Sequence, residues 1–318
     1  MKRRIRFGFS DMWGGHHPDR CAILRLLRTR FDIQLCSRPD FLLYSVFGGE
    51  FSRHRGIRIF FAGENERPNW DECDFAFTFD HTDHPDHFRW PLFGIYGDCR
   101  RLVKQGDSAA ALLAAKTKFC NFVYSNPRCE QRNRFYELLS KYKPIDAGGK
   151  LFNNVGGRIR DKLEFIAAYK FTIAFENASH PGYTTEKIAE PMWAGSLPIY
   201  WGNPLIHQDF NPRGFINYFD YGSLEALVER VIEVDRNDEL YLEYLRQPWF
   251  PQNQIPPQVS DEKILAQFER IFATTRTPIA LRAPQAAIIR RPTFPPWRPL
   301  RKLRKYLAFW QRRSEDSF

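Results

Sequence analysis

Residues 169–204 read YKFTIAFENASHPGYTTEKIAEPMWAGSLPIYWGNP, and the alternation of patterns within this stretch decides the fold. Phe171–Phe175 and Leu197–Trp201 are short apolar runs, typical of strands buried in a parallel sheet. The residues between them predict a helix over residues 184–194, with Thr184 as its N-cap and Gly195 just past its end. A strand, a helix and a second strand in succession predict a right-handed βαβ unit.

The same alternation continues on both sides of this unit. Helical periodicity predicts helices over residues 21–30, 161–169, 223–235, 239–246 and 261–273. Short apolar runs bounded by polar residues, Gly or Pro predict strands over residues 5–9, 33–36, 41–47, 57–62, 75–79 and 119–124. The fold class is therefore α/β with doubly wound sheets, and 318 residues are enough for two such domains. We expect an N-terminal domain over residues 1–143, a C-terminal domain over residues 144–275 and a tail over residues 276–318.

The tail carries almost all of the excess positive charge. Residues 276–318 contain eleven Lys and Arg and two acidic residues, so they supply +9 of the formal net charge of +10. Leu300, Leu303, Leu307 and Trp310 share one face of a predicted helix, and Arg and Lys occupy the other. A basic amphipathic helix of this kind predicts binding to an anionic membrane surface. The other residues carry only +1, which argues against nucleic acid as a partner.

Cysteine usage and hydropathy point to a cell compartment. The six cysteines form no C-x-x-C pair and no metal-ligand spacing, so we expect buried thiols in a reducing environment. The basic N-terminus lacks the apolar stretch of a signal peptide, and no run approaches the length of a membrane span. We therefore expect a cytoplasmic protein that the tail holds peripherally at the inner face of the cytoplasmic membrane.

The βαβ unit brings polar residues to one edge of its sheet. Ligands of open α/β sheets bind beyond the carboxyl ends of the strands, where Glu176 and Asn177 follow the first strand and Gly202-Asn-Pro204 follows the second. The N-terminus of the next helix points to the same edge and favours a phosphate group. Because Glu186 would repel a diphosphate, we expect it to face ribose hydroxyls and Lys187 to face the phosphates. The alternatives are that both residues only complement the helix dipole and solvent, and that Tyr183 is a packing aromatic rather than a nucleotide-stacking one.

Three segments of this stretch resemble the donor-binding signature of the α1,3/α1,4-fucosyltransferases of glycosyltransferase family 10, especially the bacterial members. They are Phe175-Glu-Asn177, Gly182-Tyr-Thr-Thr-Glu-Lys-Ile188 and Pro198-Ile-Tyr-Trp-Gly202. Residues 119–127 resemble the family's preceding strand, which ends in Ser-Asn, and residues 60–68 (FFAGENERP) resemble its G-E-N-E-x-P segment. Arg67 departs from that segment, in which a serine is usual.

This resemblance implies a GT-B-type fold of two Rossmann-like domains facing across a cleft, with GDP-fucose as the donor. Because the family inverts configuration, the implied reaction moves L-fucose from GDP-β-L-fucose to the GlcNAc of a Galβ1,4-GlcNAc-type glycan. The acceptor is then an oligosaccharide or lipid-linked glycan, as in Lewis-antigen-like surface polysaccharide or lipopolysaccharide. The donor-binding residues that the resemblance implies are Ser125, Asn126, Arg132, Glu176, Asn177, Tyr183, Glu186 and Lys187.

An inverting displacement needs a general base within hydrogen-bond reach of the acceptor hydroxyl. The candidates are Glu64 and Glu66, in the loop after the strand over residues 57–62. In an extended loop both carboxylates would lie on one side, so their spacing does not separate them. The match to the bacterial segment favours Glu64, and the alternative is that both are surface acids.

The sequence predicts no metal site. It lacks a D-x-D motif, so we expect Arg132, Lys187 and the helix N-terminus to neutralise the diphosphate, with no tightly bound cofactor and with stimulation by a divalent ion left open. His81, His84 and His87 could suggest a metal site, but their i, i+3, i+6 spacing beside Pro85 indicates an acceptor-side loop instead. Two other functions compete: a nucleic-acid- or membrane-binding protein without transferase activity, and a related sugar-nucleotide transferase with another donor.

Overall fold

The N-terminal residues form the first of two parallel sheets. The structure is a computed structural model that describes residues 1–282. The strands of this first sheet are β1 (Arg4–Ser10), β2 (Asp32–Leu35), β3 (Phe41–Tyr44), β4 (Ile57–Phe61), β5 (Phe75–Thr78) and β6 (His87–Arg89). Their spatial order is β2-β1-β3-β4-β5-β6, and every neighbouring pair is parallel. Helix α1 (Ala22–Arg30) connects β1 to β2 and buries Ile23, Leu24 and Leu27.

The second sheet is formed by the middle of the chain. Its strands are β7 (Lys118–Phe122), β8 (Ile145–Ala147), β9 (Tyr169–Phe175), β10 (Leu197–Trp201) and β11 (Ile216–Asn217), in the order β11-β10-β9-β7-β8. All four pairings are parallel. The helices of this part are α2 (Phe93–Tyr96), α3 (Ala109–Ala114), α4 (Glu130–Leu139), α5 (Lys162–Ala167), α6 (Glu186–Trp193), α7 (Leu224–Arg236) and α8 (Asp238–Arg246).

After the second sheet the chain returns to the first. Helix α9 (Asp261–Phe272) begins at the N-cap Ser260, whose hydroxyl accepts the Lys263 N–H. On α9, the Phe268 ring stacks on Phe77 of β5, with ring centroids 4.7 Å apart. The two compact units are therefore Met1–Trp90 joined by the chain from Ser260 onward, and Pro91–Val259.

The α/β fold with two parallel sheets is confirmed, and the predicted strands and helices lie where the sequence indicated, with small shifts at their ends. Residues 161–169 illustrate such a shift, because α5 ends at Ala167 and Tyr169 already begins β9. The strands β6, β8 and β11 were not predicted from the sequence. Each has only two or three residues, too few for alternation to be visible, and each is a strand because it pairs with a longer neighbour.

The division between the units differs from the predicted boundary at residues 143/144. β7 pairs with β9 in register Cys120↔Phe171, so residues 91–143 belong to the second unit. The chain from Ser260, which we placed in the C-terminal domain, belongs to the first unit because α9 packs there. A boundary drawn at one point along the chain cannot describe a chain that leaves a unit and returns to it.

The beginning of the predicted tail is anchored to the first unit. Arg276 forms a bidentate pair with Asp86, at 2.7 and 2.9 Å. Helix α10 (Ile279–Arg282) follows, and the fully buried Asp74 carboxylate accepts the Ile279 N–H and the Arg282 guanidinium, both at 2.8 Å. The remainder of the tail, with the predicted amphipathic helix, lies outside the described residues.

Hydropathy and thiol chemistry can be followed within the described part of the chain. Among residues 1–282, no helix is long and apolar enough to cross a membrane. None of the six cysteines, all within residues 1–282, forms a disulfide; five of them are buried and Cys36 is half-buried.

Candidate functional site

The carboxyl edge of the second sheet collects the predicted donor-binding residues. Asn177 lies in the loop after β9, and Asn126 lies in the loop after β7, so both follow neighbouring strands. Helix α6 begins at the same edge with Thr185 as its N-cap, whose side chain accepts the Lys187 N–H. The predicted cap, Thr184, is therefore wrong by one residue. The edge combines a helix N-terminus with polar side chains, the arrangement expected of an anion site.

Glu176 ties the end of β9 to the start of α6. Its fully buried carboxylate accepts the Thr185 backbone N–H at 2.7 Å and the Thr185 hydroxyl at 2.6 Å. Gly202, with φ +156°, permits this arrangement, because a Cβ there would lie 2.3 Å from Cγ of Glu176. Glu176 therefore lies beneath the edge and fixes the loop between β9 and α6 from below.

The Lys187 ammonium is the centre of a compact charge cluster. Its Nζ lies 3.2 Å from a Glu176 oxygen and 3.6 Å from a Glu186 oxygen, and it donates to the Thr185 hydroxyl at 2.9 Å. Burial lowers the pKa of Lys187, but the carboxylates of Glu176 and Glu186 outweigh it and hold that pKa well above its usual value. Burial raises the pKa of Glu186, but Lys187 and Lys162 bring it below its usual value. Lys187 and Glu186 are therefore both charged at neutral pH.

The pKa of Glu176 is shifted in the opposite direction from that of Glu186. Burial raises its pKa above the usual 4.5, and the neighbouring Glu186 adds to this, while Lys187 and the Thr185 hydrogen bonds act against it. The side chains of Glu176, Glu186 and Lys187 thus form one electrostatic unit, and Lys162 acts on Glu186 as a second cation.

Arg132, on α4, is a fully buried cation next to this cluster. Its Nη1 donates to Asn177 Oδ1 at 3.0 Å, its Nη2 donates to the Asn126 carbonyl, and its guanidinium lies 4.1 Å from the centre of the Tyr124 ring. Its Nε–H has no hydrogen-bond partner among residues 1–282. The guanidinium therefore joins the loops after β7 and β9 and keeps one donor unused within the described chain.

Two predicted donor-binding residues, Ser125 and Tyr183, contact other parts of the protein itself. The Ser125 hydroxyl accepts the Lys150 backbone N–H at 3.3 Å, which connects the loops after β7 and β8. The Tyr183 side chain is only 2% exposed, as the packing alternative for this residue predicts. Of the eight predicted donor-binding residues, the structure brings all to the carboxyl edge of the second sheet, but it buries Glu176, Arg132 and Tyr183.

The sequence placed Asn203 at this edge, directly after β10, but predicted no role for it. Its side-chain Oδ1 accepts the Gly182 N–H at 2.7 Å, and its Nδ2 donates to the Thr184 hydroxyl at 2.9 Å. The available signal was its position directly after a strand of the βαβ unit, where polar side chains concentrate.

Glu64 and Glu66 lie in the loop after β4, at the carboxyl edge of the first sheet. Glu64 is exposed and Glu66 half-buried, and the Glu66 N–H donates to the Glu64 carbonyl at 2.7 Å. A hydrogen bond between residues two apart makes a tight turn, so the premise of an extended loop was wrong. The same loop shows what Arg67 does: its guanidinium lies 2.8 Å from Asp80 and 4.8 Å from the centre of the Phe79 ring.

The histidines of the following loop are engaged locally. His84 stacks on Trp70 with ring centroids 3.6 Å apart, and a His87 ring nitrogen lies 2.8 Å from the Thr78 hydroxyl. Burial, with the neighbouring His84, lowers the pKa of His87 to about 4. Within residues 1–282, no group of three or more His, Cys, Asp or Glu side chains is arranged to hold a metal ion.

Two family models match the chain. The model described as the α-(1,3)-fucosyltransferase FucT N-terminal domain matches residues 7–96, and the model described as the glycosyltransferase family 10 (fucosyltransferase) C-terminal part matches residues 113–270. Their limits agree with the division of the structure near Trp90 better than with a boundary at residue 143.

Individual relatives carry similar names. The α-(1,3)-fucosyltransferase FucT of Helicobacter pylori is 30% identical over 319 aligned positions, which cover 84% of this chain and 66% of the relative. A Bos taurus 3-galactosyl-N-acetylglucosaminide 4-α-L-fucosyltransferase is 30% identical over 49% of this chain and 43% of its own length. The chain thus spans about two thirds or less of the length of these relatives.

Solved structures are similar over most of the chain. A crystal structure of an α1,3-fucosyltransferase matches with a TM-score of 0.77 and 26% identity, covering 88% of this chain and 92% of its own. A structure of an α1,3-fucosyltransferase with GDP-fucose matches with a TM-score of 0.73 and 25% identity, covering 87% and 93%. The Anabaena protein HepE, in complex with UDP and glucose, matches with a TM-score of 0.53 at 8% identity over 85% of this chain and 99% of its own, a likeness of fold alone.

Proposed function

The chain belongs to the fucosyltransferases of glycosyltransferase family 10, and on that premise we propose that it is an inverting α1,3-fucosyltransferase. The donor is GDP-β-L-fucose, and the acceptor is the GlcNAc of a Galβ1,4-GlcNAc-type glycan. The observation that carries the proposal is the charged Lys187 at the start of α6, flanked by Glu186 at the carboxyl edge of the sheet. The name of the H. pylori relative and the GDP-fucose in a similar solved structure support the same donor.

In the donor site, cations bind the diphosphate and a carboxylate binds the ribose. Lys187, 13% exposed, and the N-terminus of α6 bind the diphosphate and stabilise the charge that develops on it as the bond to fucose breaks. The Glu186 carboxylate accepts hydrogen bonds from the ribose hydroxyls, since it would repel phosphate. Asn177 holds the region of the sugar and the base, and the buried Tyr183 supports this region by packing.

Arg132 contributes to the same charge. Its unused Nε–H would gain an acceptor from a phosphate oxygen, which supports a direct contact. Because the side chain is fully buried, that contact requires the turn at residues 125–128 to shift when the donor binds. Ser125 and Asn126 lie in this turn, and their contribution is to close it over the donor.

Chemistry is a single in-line displacement at the anomeric carbon. The acceptor hydroxyl forms the new C–O bond while the bond to the diphosphate breaks, and Glu64 takes the hydroxyl proton. Glu64 is preferred to Glu66 because it is the more exposed of the two. We expect that no divalent ion is required, because the Lys187 ammonium, the Arg132 guanidinium and the N-terminus of α6 can all donate to the diphosphate, and stimulation by such an ion stays open.

The test combines donor binding with product analysis. Calorimetry with GDP should give saturable binding, and radiolabelled GDP-fucose should label N-acetyllactosamine more than a type-1 acceptor, with linkage determined on the product. GDP binding with label transferred only from GDP-mannose would instead indicate a related transferase with another donor. If GDP does not bind and no label is transferred, the interpretation that remains is a membrane- or nucleic-acid-binding protein without transferase activity.

The place of the reaction follows from the tail. We propose that residues 283–318 bind the enzyme to the inner face of the cytoplasmic membrane, where a lipid-linked precursor of a surface polysaccharide or lipopolysaccharide is the acceptor. The nine Arg and Lys residues in this segment support the proposal, because each basic residue near an anionic leaflet contributes about 1 kcal/mol.

A further inference from the structure

We propose that Asn203 is a positioning residue that fixes the donor loop, defined as Gly182–Thr185, in its binding conformation. The inference rests on the proposed function, because it concerns how the site holds the nucleotide before the nucleotide arrives. The donor loop includes Tyr183 and ends where α6 and Lys187 begin. Its conformation therefore decides where those two side chains point.

One amide group holds the loop on both sides of Tyr183. The fully buried Asn203 accepts the Gly182 N–H at 2.7 Å through Oδ1 and donates to the Thr184 hydroxyl at 2.9 Å through Nδ2. Oδ1 also accepts the Leu205 N–H at 2.8 Å, and the Asn203 backbone N–H donates to the Tyr200 hydroxyl at 3.0 Å. Because its acceptor and its donor are both used, the amide has one orientation, and the loop has one matching position.

A second layer holds Asn203 and Thr184 in turn. The Thr184 hydroxyl donates to Asp209 Oδ2 at 2.9 Å, and Asn203 Nδ2 lies 3.5 Å from the same oxygen. Gln258 donates to the other oxygen, Oδ1, at 2.9 Å. Thr184 and Asp209 are fully buried, so water does not reach this network, and a hydrogen bond removed from it is not replaced by one to water.

The network complements the contact that Glu176 makes with the next residue. Asn203, after β10, fixes Gly182 and Thr184, whereas Glu176, after β9, fixes Thr185. Two strand ends thus hold the residues on both sides of Tyr183 in the donor loop. A loop that is ordered in the free protein loses less entropy on binding, so this arrangement raises donor affinity.

The experiment compares two Thr→Val substitutions in the same unit. Thr184→Val removes the hydroxyl from the Asn203–Asp209 network at nearly constant volume. Thr172→Val is the matched control: Thr172 is also buried and its hydroxyl also has two side-chain partners, Asn121 and Ser196, but it lies inside β9 away from the loop. Steady-state kinetics, GDP calorimetry and thermal unfolding are measured for both variants and for the wild type.

We expect Thr184→Val to raise the KM for GDP-fucose and the Kd for GDP by about 10-fold or more, since one lost buried hydrogen bond has that effect. kcat and the acceptor KM should stay near wild type, which is the signature of lost donor binding. Both Thr→Val variants should lower the Tm by similar amounts, because each loses one buried hydroxyl. Thr172→Val should leave the donor KM unchanged. Thr184→Ser, which retains the hydroxyl, should restore the wild-type KM.

If the wild type binds GDP, either of two results overturns the inference. One is a donor KM of Thr184→Val within 2-fold of the wild-type value. The other is an equal increase of the donor KM in Thr172→Val, which would indicate a general loosening of the unit. A wild type that binds no GDP overturns the proposed function itself, and the inference with it. If Thr184→Val does not fold, Gln258→Met decides, because it removes only the outer hydrogen bond to Asp209. A donor KM raised about 3-fold supports the inference, and an unchanged one overturns it.

Discussion

At the scale of single residues, Lys187 does two things at once: it neutralises buried carboxylates and offers a cation to the donor. We expect Lys187→Ala to lower kcat/KM for GDP-fucose by more than about 100-fold, because removing one charge-stabilising donor from a desolvated site costs about 2.7–4 kcal/mol. Steady-state kinetics at saturating acceptor measure this. Turnover close to that of the wild type would contradict the assignment of Lys187 to the diphosphate.

The same substitution also removes the partner of Glu176, 3.2 Å away, so lost stability must be separated from lost donor binding. Leaving a buried carboxylate unpaired is strongly destabilising. The double variant Lys187→Ala with Glu176→Gln removes both charges, and its Tm should recover towards that of the wild type. Its activity should remain low, because the donor still lacks its cation.

Glu64 and Glu66 can be separated by amide substitution. Glu64→Gln should lower kcat by about 10²–10⁴-fold, the usual contribution of a general base, whereas Glu66→Gln should leave kcat within about 3-fold of the wild type. The Tm of both variants should be unchanged, since Glu64 is exposed and Glu66 only half-buried. The reverse pattern would identify Glu66 as the base, and two active variants would remove this loop from proton transfer.

The sequence predicted which residues gather at the carboxyl edge, but not which of them are buried. Glu176 follows a strand and so had to lie at that edge. Its direction depends on Thr185 and on the space left by Gly202, which are contacts between separate segments. The same holds for Asn203, whose role is visible only once the donor loop is folded over it.

At the scale of elements, the long strands and helices were predictable because their patterns are local. The N-cap of α6 was not, since Thr184 and Thr185 are chemically equivalent candidates. Tertiary partners decide between them: Asp209 accepts the Thr184 hydroxyl, and Glu176 accepts that of Thr185, which is thereby placed over the first turn. Local propensity predicted the start of the helix to within two residues. The first turn is held in place by the hydrogen bonds of the buried Glu176 carboxylate to Thr185.

Helix α6 also contains a carboxyl group that should make the stability of the second unit depend on pH. Burial raises the pKa of Glu190 from 4.5 to about 7, although its ion pair with Lys162 of α5 acts against this. The folded state therefore keeps this proton where the unfolded state has lost it. The stabilisation is complete below pH 4.5 and is lost as the pH rises through about 7.

Glu190→Gln should remove this dependence. The difference in unfolding free energy between wild type and variant should change by about 3 kcal/mol between pH 4.5 and about 7, with the wild type losing stability as the pH rises. Thermal unfolding across this range measures it. Glu229→Gln, an exposed position on α7, makes the same charge change and should run parallel to the wild type. A parallel profile for Glu190→Gln would show that Glu190 titrates alike in both states.

At the scale of the whole molecule, the two-sheet fold could be inferred and the division of the chain could not. The apolar run that became β7 has the same pattern whether it joins the sheet before it or the sheet after it. The parallel register of β7 with β9, which lies about fifty residues later, decides the matter. The return of α9 to the first sheet likewise depends on a partner in another segment, since Phe268 of α9 stacks on Phe77 of β5. The helical periodicity of α9 alone does not reveal that partner.

The described start of the tail allows membrane binding and folding to be tested separately. A variant ending at Arg282 keeps the contacts of Arg276 with Asp86 and of α10 with Asp74, but loses the strongly basic remainder. We expect it to stop cosedimenting with vesicles of anionic lipid while its Tm and its transfer to a soluble acceptor stay unchanged. A variant ending at Thr275 should also lose vesicle binding, but with a lower Tm, because the buried Asp74 carboxylate then loses two of its hydrogen-bond donors. If the variant ending at Arg282 binds vesicles as well as the full chain does, the membrane surface lies on the folded units and the tail has another role.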